Sequence, residues 1–396
     1  MPKQIPPRSA LILIVIAQFL GTSLWFAGNA AASEWEILLD RSGTAPTLTL
    51  VVQLGFIFGT FLYALGSIAD RFSPSKVFLI SCILAASFNF SIILLPTSFS
   101  TILFCRFWVG FFLAGIYPVG MKIAADYFEK GLGSALGFLV GALVLGTGFP
   151  FLLKGLGWEI SWKTILWSTS TLAILGGLAI GFLVPDGPYR KKSPKLDFGL
   201  IPKFTKNTAL KGAAGGYFGH MWELYTFWAF LPALIFGLTQ GTLSTENQSL
   251  WTFWIISAGG VSCALGGILA QKIGSQQVAI GSLILSGLCG LLLLVLPDIS
   301  AFIIFTFLLL WGISVTADSP QFSTLVAQSV PAEQRGTALT LVNSVGFGIT
   351  VISILVTREL ALLLEPKVYL GFLFLGPTVG VFLFKYFRGK DSSERK

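Results

Sequence analysis

The chain has 396 residues, of which 54% are hydrophobic and 11% charged, with a mean hydropathy of +0.81. Soluble globular chains carry about 25% charged residues, so a water-soluble domain of this size is excluded for want of polar surface. The net charge of +8 would suit a nucleic-acid partner, but the positions of the basic residues assign it to membrane orientation, and no nucleic-acid contact is expected.

In lipid every backbone N–H and C=O needs an internal partner, so a spanning chain is helical or a closed barrel. A barrel shows alternating strands of about ten residues, whereas this chain shows continuous apolar runs of about 20. Twelve helices are predicted. The first, 10–32, carries Gln18, Thr22, Ser23, Trp25 and Asn29. Lys3 and Arg8 before it and Ala30-Ala31-Ala32 at its end could pass for a signal peptide, but the run is long and the repeat described below needs it. The second, 47–69, carries Gln53 and runs out in Gly66-Ser67-Ile68-Ala69-Asp70-Arg71. The third and fourth are 77–96 and 99–124, with Arg106 in the outer half of the fourth. The fifth, 133–154, has Gly133, Gly137 and Gly141 at four-residue spacing, a smooth stripe where another backbone can approach and slide. The sixth is 163–184.

A polar stretch, Pro185–Asn207, follows as a linker, giving bundles at 1–184 and 208–396 separated by 185–207. The seventh helix, 208–238, holds His220, the one histidine of the chain, with Trp222, Glu223, Tyr225 and Trp228. The eighth and ninth are 248–271 and 277–296. The tenth, 299–327, carries Asp318, Pro320 and Gln321. The eleventh, 336–358, follows Arg335 and has Gly336, Gly346 and Gly348 as a looser glycine set; the twelfth is 367–387. Cys82, Cys105, Cys263 and Cys289 lie within spans without metal-ligand spacing, so no disulfide framework, metal or cofactor is expected.

With both termini in the cytoplasm, the cytoplasmic segments hold 20 Lys and Arg and the outer loops 5, as the positive-inside rule requires. The chain also repeats. Gly66 to Arg71 matches Gly267 to Lys272 at a shift of 201, and the pair Gly110 and Pro118 matches Gly312 and Pro320 at a shift of 202. Two landmarks agreeing on half the chain length indicate duplicated six-helix halves, an arrangement that places a solute site near the midplane.

The segment Gly66 to Lys76 resembles the signature between helices 2 and 3 of the major facilitator superfamily, with Ser73 and Pro74 in place of the usual second glycine and the arginine after it. Arg106-Phe107-Trp108-Val109-Gly110 is similar to that family's helix 4 motif, with Val109 where glutamine is common. The resemblance implies an all-α fold of twelve transmembrane helices in two pseudo-symmetric bundles. It also implies a latch in which Gly66, Asp70 and Arg71 meet the start of helix 11 at Arg335 in the outward-facing state. A loop pair that merely fixes topology is the plainer alternative. Phe149 precedes Pro150, so the glycine-proline signature of the family's exporters in helix 5 is not met. Gly219 to Leu224 and Ala317 to Phe322 are similar to a bacterial branch often labelled as nitrate- or cyanate-like carriers. The arginines with which nitrate carriers bind their anion in helices 2 and 8 are absent here, so an inorganic anion is not expected.

Ionisable groups inside lipid are costly and mark solute or proton paths. Glu223, His220, Asp318 and Arg106 are therefore the candidate coupling groups, against the alternative of structural pairing. Glu223 and His220 are three residues apart on one helix face, and an unpaired carboxylate at that depth must be protonated, hydrated or paired. Gln18, Trp25, Asn29, Gln53, Trp222, Tyr225 and Gln321 complete the candidate site and suit an organic solute with an apolar body. The sequence is read as a secondary transporter working by alternating access on a small organic solute, coupled to protons. A lipid or amphiphile flippase on the same scaffold is the alternative. A membrane-embedded enzyme is a third, against which stand the lack of a nucleotide-binding loop and of a paired-histidine motif. The expected setting is the bacterial inner membrane, as a monomer with both termini cytoplasmic.

Overall fold

The computed structural model describes residues 5–128, 132–157, 160–190, 197–297, 299–331 and 334–394, with the backbone alone at 132–134 and 389–394. Among the described residues every regular element is helical. Among the described residues twelve helices are long and apolar enough to cross a membrane: α1 Pro7–Leu38, α2 Thr44–Leu65, α3 Pro74–Leu94, α4 Phe99–Tyr127, α5 Ala135–Gly155 and α6 Trp162–Leu183, then α7 Thr208–Leu238, α8 Thr245–Ile273, α9 Ser275–Val295, α10 Ala301–Gln328, α11 Arg335–Leu360 and α12 Pro366–Arg388. The twelve-helix, all-α expectation therefore holds. Part of the linker, 191–196, and Lys130 lie outside the described residues.

Helix ends follow local chemistry. The α2–α3 turn passes through Ser67 in the left-handed region, φ 48°. Ser73 then caps α3 and Pro74 occupies its first turn, where a missing N–H costs nothing. This accounts for Ser73 and Pro74 at positions where the superfamily signature differs. Asn207 caps α7 by accepting from the Leu210 N–H at 2.9 Å, and it donates to Ser329 O at 2.8 Å, tying that cap to the end of α10.

Among the described residues three spans open into a turn in mid-course, and α12 passes through a 3-10 stretch at Phe372–Phe374. In α4 the helix opens over residues 114–116, just before Pro118, and in α10 it opens at Asp318, just before Pro320. Proline lacks an N–H and crowds the carbonyl four residues back, so both breaks are written in the sequence, at the same place in each repeat. The third break, Ser23 to Phe26 in α1, contains no proline.

The chain divides into two compact units, Met1–Lys192 with Leu243–Gly260, and Ser193–Thr242 with Val261–Lys396. The N-terminal stretch of α8, up to Gly260, thus groups with the first unit. Within the first unit α1 packs on α5 and α6, and α3 on α4 and α6; within the second α7 packs on α11 and α12, and α9 on α10 and α12. The same pairings offset by six helices are what a duplicated half produces. Small residues bring backbones together: a Cβ at Gly55 would lie 2.0 Å from Phe107 O, and one at Gly110 2.0 Å from Val52 O. This is the close α2–α4 contact that membrane helices use in place of a hydrophobic driving force.

Of the three α5 glycines at four-residue spacing, Gly141 makes a close approach to α8. A Cβ at Gly141 would meet Gly260 O at 2.8 Å; the next close approaches to α8 are at Gly148, beside Ser257, and Gly155, beside Leu250. Between Gly141 and Gly148, Leu145 also lies against Gly260, while Gly146 faces α1 at Thr22. Gly137 is buried in α5, and the surroundings of Gly133 lie outside the described side chains. On α11, Gly346 packs on Tyr217 and Met221, whereas Gly336 and Gly348 face open space.

Candidate functional site

In the second unit the ionisable groups of α7 meet α9 and α10. Glu223 is fully buried. Its Oε1 accepts from the Trp311 indole N–H at 2.6 Å and its Oε2 from the Ser286 hydroxyl at 2.8 Å. Both partners are neutral, so among the described residues no cation offsets the carboxylate charge within hydrogen-bond reach. One turn earlier on α7, His220 Nδ1 stands 2.8 Å from Asp318 Oδ1, both residues fully buried. Asp318 occupies the break of α10, and neighbouring carbonyls there are covered from α8: Ser262 Oγ donates to Ile313 O at 2.9 Å and Cys263 Sγ to Thr316 O at 3.2 Å. His220 Nε2 has no hydrogen-bond partner among the described residues, and its ring lies 5.9 Å from that of Tyr217.

The opposite side of α7 is held by α11. Thr350 Oγ1 donates to Met221 O at 3.0 Å and Ser353 Oγ to Trp222 O at 2.6 Å. Trp222 itself turns to α12, where its ring edge fills the space above Gly376. Tyr225 packs on Trp228 and on Phe347 of α11. Gln321 is buried just beyond the α10 break.

In the first unit Arg106 is fully buried. Its guanidinium donates to Leu24 O and Trp25 O, two carbonyls at the α1 break, the first of which also accepts from the Ala27 N–H at 3.4 Å, and to Asn89 Oδ1 at 3.0 Å. Asn89 is held in turn by Leu166 O and Ser170 Oγ of α6. A Cβ at Gly28 would lie 3.0 Å from Arg106 Nε, so the small residue makes room for the guanidinium. This arrangement explains how α1 opens without a proline: a cation with several donors satisfies the released acceptors. Asn29 donates to Thr49 Oγ1 at 2.7 Å and Ala45 O at 3.0 Å. Four residues earlier on α1, the Trp25 ring lies 4.9 Å from that of Phe56 of α2, tilted at 51°. Gln53 lies between these two contacts along α2, fully buried, with neither amide atom bonded among the described residues. Gln18, two turns before Trp25, is likewise buried and unbonded, its Oε1 pressed on Gly120 of α4.

At the α2–α3 turn, Asp70 pairs with Lys122 of α4 at 2.8 Å. The segment after α6 lies against the same place. Asp186 accepts from Ser73 Oγ at 2.7 Å and pairs with Arg190 at 2.7 Å. Arg190 also donates to Phe72 O, and the Tyr127 hydroxyl donates to Pro185 O at 2.6 Å. Gly66 closes α2, Arg71 is exposed, and Arg335 is exposed at the start of α11. Among the described residues no cluster of three His, Cys, Asp or Glu side chains could hold a metal ion.

The profile of the Major Facilitator Superfamily matches residues 8–354. The chain belongs to that superfamily. Its fold also superimposes on the crystal structure of a point mutant of the nucleoside transporter NupG, with a TM-score of 0.71, covering 96% of this chain and 99% of that one at 14% identity. That is a likeness of fold. An ascochitine biosynthesis cluster MFS transporter of Didymella fabae is 25% identical over 194 residues, 47% of this chain and 37% of that protein; the match thus spans little more than a third of that relative. As a member of the superfamily with twelve apolar helices, the chain is an integral membrane protein.

The sequence singled out Glu223, His220, Asp318 and Arg106, and the structure joins the first three in one unit and seats the fourth in the other. Ser286, Trp311, Asn89, Lys122 and Asp186 were not singled out by sequence reasoning. A serine, a tryptophan or an asparagine in an apolar run carries no signal of its own. The available signal was the acid itself, since a buried carboxylate requires donors from facing helices.

Proposed function

We propose that this superfamily member is a secondary transporter that moves a small organic solute by alternating access and couples that movement to protons through Glu223. The observation that carries the reading is a carboxylate sealed in mid-span whose two oxygens meet only neutral donors, beside a second acid, Asp318, paired with His220. A charge so placed is costly unless a proton neutralises it. A conformational change that wets it would release the proton, which makes protonation and conformation interdependent. Gln18 and Gln53 present unbonded amides and Trp25 an aromatic face, groups suited to an organic solute with polar edges. The amide atoms of Gln18 and Gln53 are costly to leave unpaired, so a solute that bonds them gains affinity from them. Arg106, whose terminal nitrogens donate to α1 and Asn89 while its Nε is unbonded among the described residues, braces the opened helix on which Trp25 stands.

Asp70 would act as the conformational latch with Gly66, Arg71 and Arg335, and its bond to Lys122 is one partner it can exchange. Basic-residue placement supports a plasma membrane setting, such as a bacterial inner membrane, with both termini cytoplasmic. The test is proteoliposome flux with a pH-sensitive dye and the solute that most raises thermal stability. Solute-dependent proton movement supports the reading when Glu223→Gln abolishes it; lipid scrambling without solute accumulation would favour a flippase.

A further inference from the structure

We infer that Ser286 is a hydroxyl rotor that reads the protonation state of Glu223, and that the transported proton resides on Oε2. This rests on the reading of Glu223 as the proton site. The two oxygens of Glu223 are not equivalent. Oε1 faces the Trp311 indole N–H, a donor that has no lone pair to offer. A proton on Oε1 would point at another proton. Oε2 faces the Ser286 hydroxyl at 2.8 Å, and the same Ser286 Oγ lies 3.1 Å from Leu283 O in its own helix. One hydroxyl hydrogen therefore has two acceptors within reach and can serve one at a time.

The exchange balances without any further reactant than a proton from water. With Glu223 ionised, Ser286 donates to Oε2. When a proton binds Oε2, the new O–H donates to Ser286 Oγ, and the serine hydrogen swings to Leu283 O. Serine keeps its hydrogen throughout, the carboxylate gains one O–H bond, and every polar atom stays bonded in both states. The Trp311 contact persists while the Ser286 contact reverses direction, so protonation is reported to α9 and not to α10. The other titratable groups around Glu223 are Asp318 on α10, His220 on α7 itself and Cys289 on α9, one turn beyond Ser286. None of them is a hydrogen-bond partner of Oε2 among the described residues.

The test is pH-difference infrared spectroscopy of the full-length protein in lipid, observing the carbonyl band of a protonated carboxyl group. Wild type shows the band and Glu223→Gln loses it. Ser286→Ala moves the band to higher frequency, because the carboxyl O–H has lost its acceptor, while Ser286→Thr leaves it in place. Ser286→Cys, which keeps the side-chain volume and a weak acceptor, gives an intermediate position and stands in should the alanine variant lose its fold. A Glu223 band that stays put in Ser286→Ala and Ser286→Cys overturns the rotor alone. A spectrum that Glu223→Gln leaves unchanged removes the proton site and the rotor with it.

Discussion

Arg106 and Glu223 are both fully buried charges, yet their surroundings ask different things of them. Arg106 donates to two backbone carbonyls and an amide, so truncating it orphans acceptors in a dry interior, at roughly 1–3 kcal/mol each. Arg106→Leu should therefore lower the thermal unfolding temperature of the purified protein markedly, and Arg106→Lys should recover part of that loss. Glu223 has neutral partners that survive the change to an amide, so Glu223→Gln should unfold close to wild type while proton-driven accumulation disappears. The charged residues were legible in the sequence because intramembrane charge is rare. Their partners were not. Which serine of α9 or tryptophan of α10 faces Glu223 depends on how the helices turn toward each other, and no spacing along the chain encodes that rotation.

Helix packing in each unit relies on positions where one backbone touches another. A side chain at Gly55 or Gly110 would begin 2.0 Å from a carbonyl oxygen of the facing helix, whereas one at Gly348 would meet nothing. Gly110→Leu should destabilise by about 1–3 kcal/mol or more as α2 and α4 are forced apart. Gly348→Ala should stay within about 0.5 kcal/mol, a contrast that detergent thermal melts of the two variants would measure. The twelve spans were readable from hydropathy and the α4 and α10 breaks from Pro118 and Pro320. The break in α1 was hidden because the side chain that bonds its carbonyls, Arg106, lies 81 residues from Trp25 in sequence. On α5 the contact with α8 uses Gly141, Leu145, Gly148 and Gly155, and the glycine spacing alone does not say which of these face α8.

For the whole molecule, duplication is the organising fact: the pairings of α1 to α6 recur in α7 to α12, and the proline breaks recur with them. Among the described residues the mid-span acids do not recur; the second unit holds Glu223 and the Asp318–His220 pair, while the first holds Arg106 and unbonded amides in mid-span, its buried acid Asp126 lying at the end of α4. We take this asymmetry as a division of labour, with proton chemistry in one repeat. Asp70→Asn should then slow turnover more than it weakens solute binding, since a latch acts on the conformational equilibrium; a stopped-flow flux assay beside a binding titration separates the two. Both termini should face the cytoplasm, which a reporter fused to either end would read directly. The measurement that bears most directly on the account is accumulation of the stabilising solute in proteoliposomes under an imposed pH gradient. Wild type should concentrate the solute above equilibrium, and Glu223→Gln should only equilibrate it; accumulation by Glu223→Gln equal to wild type would contradict the account.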